Sequence, residues 1–188
     1  MKRLAIFGSG SGSNAENICN YFERSKSVEV VFICTNNKNS FIVNRAKKLK
    51  IPIEYTTKSD LSKFSKIHKT LKFYNVDYII LAGFLLKIPL KMLNYYPKKI
   101  LNIHPSLLPK YGGRGMYGDN IHRAVLKNKE FETGITIHFV NQNYDEGEII
   151  LQKKCTVSKN ETIESLGEKI RCLEFKYFPN TIKKTILK

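Results

Sequence analysis

The sequence predicts an α/β domain with a mostly parallel, twisted sheet and helices on both faces. Three observations carry that prediction. Short β-branched and apolar runs alternate with segments of helical period, a glycine-rich loop closes the first of those runs, and the run VEVVFICT is nearly continuous in β-formers, as a strand buried on both faces should be. Parallel neighbours need crossover connections, and these are normally helical.

Lys2 to Phe7 is the first strand, closed by Gly8. Ser13 followed by Glu16 is a capping-box pattern, so a helix is expected from about Asn14 through Ile18, Tyr21 and Phe22. Val28 to Thr35 is the second strand, residues 41 to 49 a helix and Pro52 to Tyr55 a short strand. Residues 60 to 74 place Leu61, Phe64, Ile67, His68 and Leu71 at helical spacing, and Val76 to Leu81 returns to a strand. Ile100 to Ile103 is a further strand, Gly118 to Leu126 a helix, and Thr133 to Phe139 and Ile149 to Thr156 are strands. Thr162 to Leu187 is a closing helix in which Pro179 is the one residue expected to interrupt it. The whole reads as one Rossmann-like domain over residues 1–188.

The bulk properties exclude several classes. The longest apolar run, Tyr78 to Leu86, is too short to cross a bilayer, and Gly8 ends the N-terminal apolar run too early for a secretory signal, so a cytoplasmic protein is expected. Cys19, Cys34, Cys155 and Cys172 form no C-x-x-C pair and have no histidine at ligand spacing, so neither a metal site nor a disulfide scaffold is suggested. A net charge of +16, from 32 Lys and Arg against 16 Asp and Glu, prompts a search for nucleic acid. The lysines are diffuse, however, without an aromatic-interleaved RNA motif or a zinc finger. They suit solvated faces better than a polynucleotide groove, and a positive field of this kind would draw in small, multiply anionic substrates.

Two stretches carry chemistry. The loop GSGSGSN, Gly8 to Asn14, joins the first strand to the first helix, so its glycines and the free N–H groups of the helix start suit a phosphate. It lacks the G-K-[ST] ending of a Walker loop, its third glycine falls one position early for a dinucleotide fingerprint, and a tight turn alone would also select Gly and Ser. In LNIHPSLLPKY, Asn102 and His104 sit at alternate positions of a strand end, hence on one side, and Pro105 and Pro109 fix the exit of the chain. Asp145, on a loop between two later strands, is either an ordinary turn residue or a carboxylate facing the same cleft. Amide, imidazole and carboxylate together suit acyl transfer to an amine: a donor for the oxyanion, a group that shares a proton, and an acid that orients it.

GSGSN after the first strand, LAGFLL (Leu81 to Leu86), LNIHPSLLPKY (Leu101 to Tyr111) and DEGEII (Asp145 to Ile150), in this order and spacing, resemble the folate-dependent phosphoribosylglycinamide formyltransferases of purine biosynthesis. The likeness runs through essentially the whole chain. It implies the formyltransferase fold, 10-formyltetrahydrofolate as co-substrate, glycinamide ribonucleotide (GAR) as acceptor and no metal. It also implies catalytic roles for Asn102, His104 and Asp145, and a grip on the GAR phosphate and ribose by Gly10, Ser11, Gly12, Ser13, Asn14 and Glu174. Folate contacts would come from Leu85, Leu86, Ile88, Asn102, Val140, Asn141, Tyr144 and Asp145. The chain departs from the family in the longer GGRGMYG stretch (Gly112 to Gly118), in Leu86 where many members have arginine, and in Phe175 where histidine is frequent.

Among relatives sharing the donor, a methionyl-tRNA formyltransferase would need a further domain after Lys188, and a formyltetrahydrofolate hydrolase a regulatory domain before the first strand. A sugar-nucleotide formyltransferase and a basic RNA-binding module are the remaining alternatives. The expected partners are small molecules, with neither nucleic acid nor membrane, and the protein is expected as a monomer or homodimer.

Overall fold

The computed structural model describes residues 1–188. Strands β1 (Lys2–Phe7), β2 (Val28–Thr35), β3 (Ile53–Tyr55), β4 (Tyr78–Leu81), β5 (Ile100–His104), β6 (Glu132–Phe139) and β7 (Ile149–Thr156) form one seven-stranded sheet in the order β3-β2-β1-β4-β5-β6-β7. The pairings from β3 through β5 are parallel, and β5–β6 and β6–β7 are antiparallel. The reversal of order between β1 and β4 is a topological switch point, where adjacent crossovers leave on opposite faces and open a crevice at the strand carboxyl ends.

Apolar residues cover the sheet on both sides. Helices α1 (Ser13–Phe22), α2 (Ile42–Lys48) and α7 (Ile163–Ile186) bury Ile18, Ile42, Ile170 and Phe178 against one face, around Leu4, Ile6 and Ile80. Helices α3 (Lys58–Lys63), α4 (Ser65–Phe73) and α5 (Leu90–Tyr95) bury Leu61, Ile67, Leu71 and Met92 against the other, around Phe7, Phe32 and Ile79. Helix α6 (Asp119–Lys127) packs Ile121 and Val125 on Leu166 of α7.

Local expectations and structure differ in four places. The Ser13–Glu16 capping box does not form: Gly12, at φ 75, is the N-cap without a side-chain cap, and Glu16 pairs instead with Arg45 of α2. A Cβ on Gly12 would also lie 2.6 Å from Ile42 Cγ1, so α2 presses on a backbone that only glycine allows to come so close. The helix expected over residues 60 to 74 is two helices, broken at Phe64 (φ 63), where Thr57 caps an earlier start through the Asp60 N–H at 3.0 Å. Burial of the Phe64 ring wins there over helical continuity. Pro179 does not interrupt α7. The carbonyl of Phe175, which Pro179 deprives of its usual N–H partner, accepts the Asn17 side-chain amide of α1 at 3.0 Å, and Pro179 itself is buried. Finally α5, too short and weakly patterned to stand out in the sequence, occupies the β4-to-β5 crossover.

Ser9, just past β1, ties the strand ends together. Its N–H donates to the Gly83 carbonyl at 3.0 Å, its hydroxyl donates to Asn36 Oδ1 at 2.5 Å, and the same hydroxyl accepts the Leu85 N–H at 2.9 Å. Three segments following β1, β2 and β4 thus share one buried side chain. Ser9→Ala is expected to cost about 1–2 kcal/mol, lowering the melting temperature by about 2–8 °C, as thermal unfolding followed by circular dichroism would measure.

Candidate active site

The carboxyl ends of β1, β4 and β5 open into a cavity of about 1090 Å³. Its walls include Gly10 to Asn14, Leu85, Leu86, Ile88, Asn102, His104, Tyr144, Asp145 and Glu174. Segments far apart in the sequence therefore share one space. Val140 and Asn141, also expected among the folate contacts, stand off this cavity and line an adjoining recess of about 70 Å³ with Leu86, Ile88, Tyr144 and Asp145.

Asn102 and His104 project from the last turns of β5 as their alternation requires. Asp145 reaches both from the β6–β7 loop: His104 Nδ1 lies 3.5 Å from its Oδ2, and Asn102 Nδ2 donates to its Oδ1 at 3.4 Å. The backbone N–H of Gly113 donates to Oδ2 at 2.9 Å. Asp145 adopts a left-handed conformation, φ 57, which aspartate tolerates better than most residues and which these contacts hold. The other face of the imidazole is also engaged, with His104 Nε2 2.7 Å from the Tyr111 carbonyl. That carbonyl can only accept, so Nε2 carries the proton of the neutral ring, and Nδ1 faces the carboxylate with a lone pair or a second proton.

At the opposite end of the cavity, the Asn14 side chain donates to Glu174 Oε2 at 2.8 Å, joining the glycine loop to α7. Arg45 Nε donates to the Ser11 carbonyl at 3.0 Å and steadies the outside of the loop. The Glu174 carboxyl is pushed up to about 7 because the enclosing walls strip it of water, with the Asn14 amide and the Arg171 charge pulling the other way.

The Gly112 to Gly118 stretch, whose placement the sequence left open, is a wall: Gly113, Arg114, Gly115, Met116, Tyr117 and Gly118 all line the cavity. Near Leu86, where the family's frequent arginine is missing, Lys87 lines the cavity with its ammonium 5.7 Å from the Tyr144 ring centre. Phe175 is exposed and away from the cavity lining. One neighbour went unmarked in the sequence: His138 of β6, whose Nε2 lies 3.1 Å from Asn102 Nδ2. Strand alternation could have put its side chain on the face of the sheet shared with Thr136, but which β5 residue it opposes depends on a register invisible in one strand alone. No group of three or more His, Cys, Asp or Glu is arranged to hold a metal ion, and no helix is long and apolar enough to cross a membrane.

A crevice at the switch point of a mostly parallel sheet, walled by the N-I-H strand end and the later aspartate, defines a class, and residues 2–182 match the formyl transferase family model. The chain belongs to that family. Within it, the chain is 39% identical over 189 residues to the chloroplastic phosphoribosylglycinamide formyltransferase of Arabidopsis thaliana, covering 96% of this chain and 64% of the plant protein. It is 32% identical over 191 residues to the phosphoribosylglycinamide formyltransferase of Bacillus subtilis, covering 99% and 95%. The crystal structure of phosphoribosylglycinamide formyltransferase from Bacillus halodurans superposes with a TM-score of 0.89 at 33% identity, covering 100% of this chain and 96% of that one. The chain thus spans less than two thirds of the length of the plant relative.

Glu174 makes stability depend on pH. Because its folded value, about 7, exceeds the ordinary 4.5, the native state holds the extra proton between those values, and stability falls as pH rises through that interval. Glu174→Gln keeps an acceptor for Asn14 and removes the charge. The residue as a whole keeps some contact with solvent, which discounts the effect, so the variant is expected to melt about 2–4 °C above the parent at pH 8 and to match it below pH 4.5, in melts across that range.

Proposed function

We propose that the chain transfers the formyl group of 10-formyltetrahydrofolate to the amine of glycinamide ribonucleotide in purine biosynthesis, with residues 1–188 acting as one formyltransferase unit. The observation that carries this reading is the meeting of Asn102, His104 and Asp145 in the same cavity as the Gly10 to Asn14 loop. An anion cradle and an oxyanion-stabilising trio at the two ends of one cleft suit an acceptor with a phosphate at one end and an amine at the other.

The phosphate lies on the Gly10 to Asn14 loop, where the first-turn N–H groups of α1 point outward without helical partners and the helix dipole favours an anion. Glu174 accepts from the ribose hydroxyls. Leu85, Leu86, Ile88 and Val140 form the apolar slot for the pterin, with Asn141 and Tyr144 on its rim. The amine attacks the formyl carbon, and the carbonyl oxygen becomes an oxyanion. Asn102 Nδ2 donates to it with the hydrogen held only loosely by Asp145, at 3.4 Å. His104, once protonated between the Tyr111 carbonyl and the Asp145 carboxylate, adds positive charge beside the oxyanion and a shareable Nδ1–H. The attacking nitrogen gives up its proton through Asp145 and a bridging water, N10 of the folate gains one, and the carbon–N10 bond breaks. The products are the formamide and tetrahydrofolate, with no covalent intermediate on the protein.

A coupled assay with GAR and 10-formyltetrahydrofolate, run beside a water-only control and an amino-sugar nucleotide, tests the reading: transfer to GAR alone is expected, and transfer to the sugar nucleotide alone would overturn it. Asp145→Asn should lower kcat at least about a hundredfold with substrate affinities nearly unchanged. Gly12→Val should instead weaken GAR chiefly, because its Cβ collides with Ile42 and deforms the loop, and isothermal titration of both substrates separates the two effects.

A further inference from the structure

His138 is buried in β6 directly opposite Asn102 across the antiparallel β5–β6 pairing. Its Nδ1 lies 2.8 Å from the Phe139 carbonyl, which can only accept, so Nδ1 carries the ring proton and Nε2 presents a lone pair. That lone pair lies 3.1 Å from Asn102 Nδ2. An amide is nearly symmetric in shape, and what distinguishes its ends is which one donates. With Nε2 accepting one hydrogen of Asn102 Nδ2 and Asp145 Oδ1 the other, the donor end has two acceptors. Turned over, the amide oxygen would face the same lone pair and the same carboxylate, three acceptors without a hydrogen among them. Gly147 packs close beside this pair, where a Cβ would lie 3.3 Å from Nδ1 and 1.6 Å from the Phe139 carbonyl oxygen, so a side chain there would disturb the Nδ1–carbonyl contact that sets the ring's orientation.

We infer that His138 is a further positioning residue of the reaction: as a neutral acceptor it holds the Asn102 amide with its N–H end toward Asp145 and the reacting carbonyl. The inference deepens the proposed formyl transfer and rests on it. His138 acts through Asn102. The titratable groups facing the ring are Asp145, whose Oδ1 is 3.8 Å from Nε2, and His104. Burial, the larger influence, and the His104 charge keep the ring neutral, against the Phe139 carbonyl and the Asp145 charge, which favour a proton. A proton on Nε2 would set N–H against N–H and release the amide.

The test is a double-mutant cycle with the full chain, reading kcat and both KM values together with the melting temperature. His138→Leu, which removes the acceptor, should lower kcat about 10- to 100-fold with both KM values within about threefold. His138→Gln, whose Oε1 can accept in place of Nε2, should recover most of the loss. In an Asn102→Ala background His138→Leu should cost less than about twofold, since the group it positions is gone. An equal loss in both backgrounds, a loss confined to KM, or a Gln variant as slow as Leu while melting like the parent would overturn the inference. Should the Leu variant fail to fold, the acid limb of kcat decides: the parent should show an inflection that His138→Gln lacks, and identical limbs would overturn the inference. An inactive parent would count against the proposed function alone. Ring nitrogen NMR of the parent then still reads the lock, with Nδ1–H expected for His138 and Nε2–H overturning it.

Discussion

One carboxylate joins three separate pieces of this chain. Asp145, on the β6–β7 loop, takes hydrogen bonds from Asn102 at the end of β5 and from the Gly113 backbone in the wall loop, and stands beside His104. A buried carboxylate without donors is costly, so the strand end, the wall and the loop must all be in place together. Its left-handed backbone fits the same logic, since a local cost of that kind persists where surrounding contacts over-determine it. The geometry at the strand end is thereby a property of the assembled sheet and not of any one segment.

The far end of the cavity is built in the same way. Asn14 reaches Glu174 across from α1 to α7, and Ser9 gathers the chain after β1, β2 and β4. These polar links span the crevice that the switch point opens, while the two apolar layers hold the sheet flat against its helices. Rigidity at both ends suits the proposed reaction, in which an amine and a formyl carbon must meet at close range and the energetic gain comes from their orientation.

Much of this architecture was legible in the sequence because it follows from local pattern. Strand positions followed period-two and continuous apolar runs, and the glycine loop announced a close backbone approach after β1. The misreadings arose where a distant partner outbid a local preference. Glu16 fits a capping box, yet Arg45 of α2 attracts it. Phe64 suits the middle of a helix, yet burying its ring breaks that helix in two. Pro179 should interrupt α7, yet Asn17 of α1 takes up the carbonyl it leaves free.

The order of residue types along the chain determined the strands and helices, the parallel character of most of the sheet, and the candidates Asn102, His104, Asp145 and the Gly10 to Asn14 loop. These are consequences of side-chain period and backbone preference, which act over a few residues. Tertiary structure alone decided that Asp145 turns inward, that the Gly113 N–H meets it, that Val140 and Asn141 belong to a side recess, and that His138 opposes Asn102. Each depends on a register or a loop closure between segments tens of residues apart, and a one-residue slip of β6 would turn His138 to the other face of the sheet.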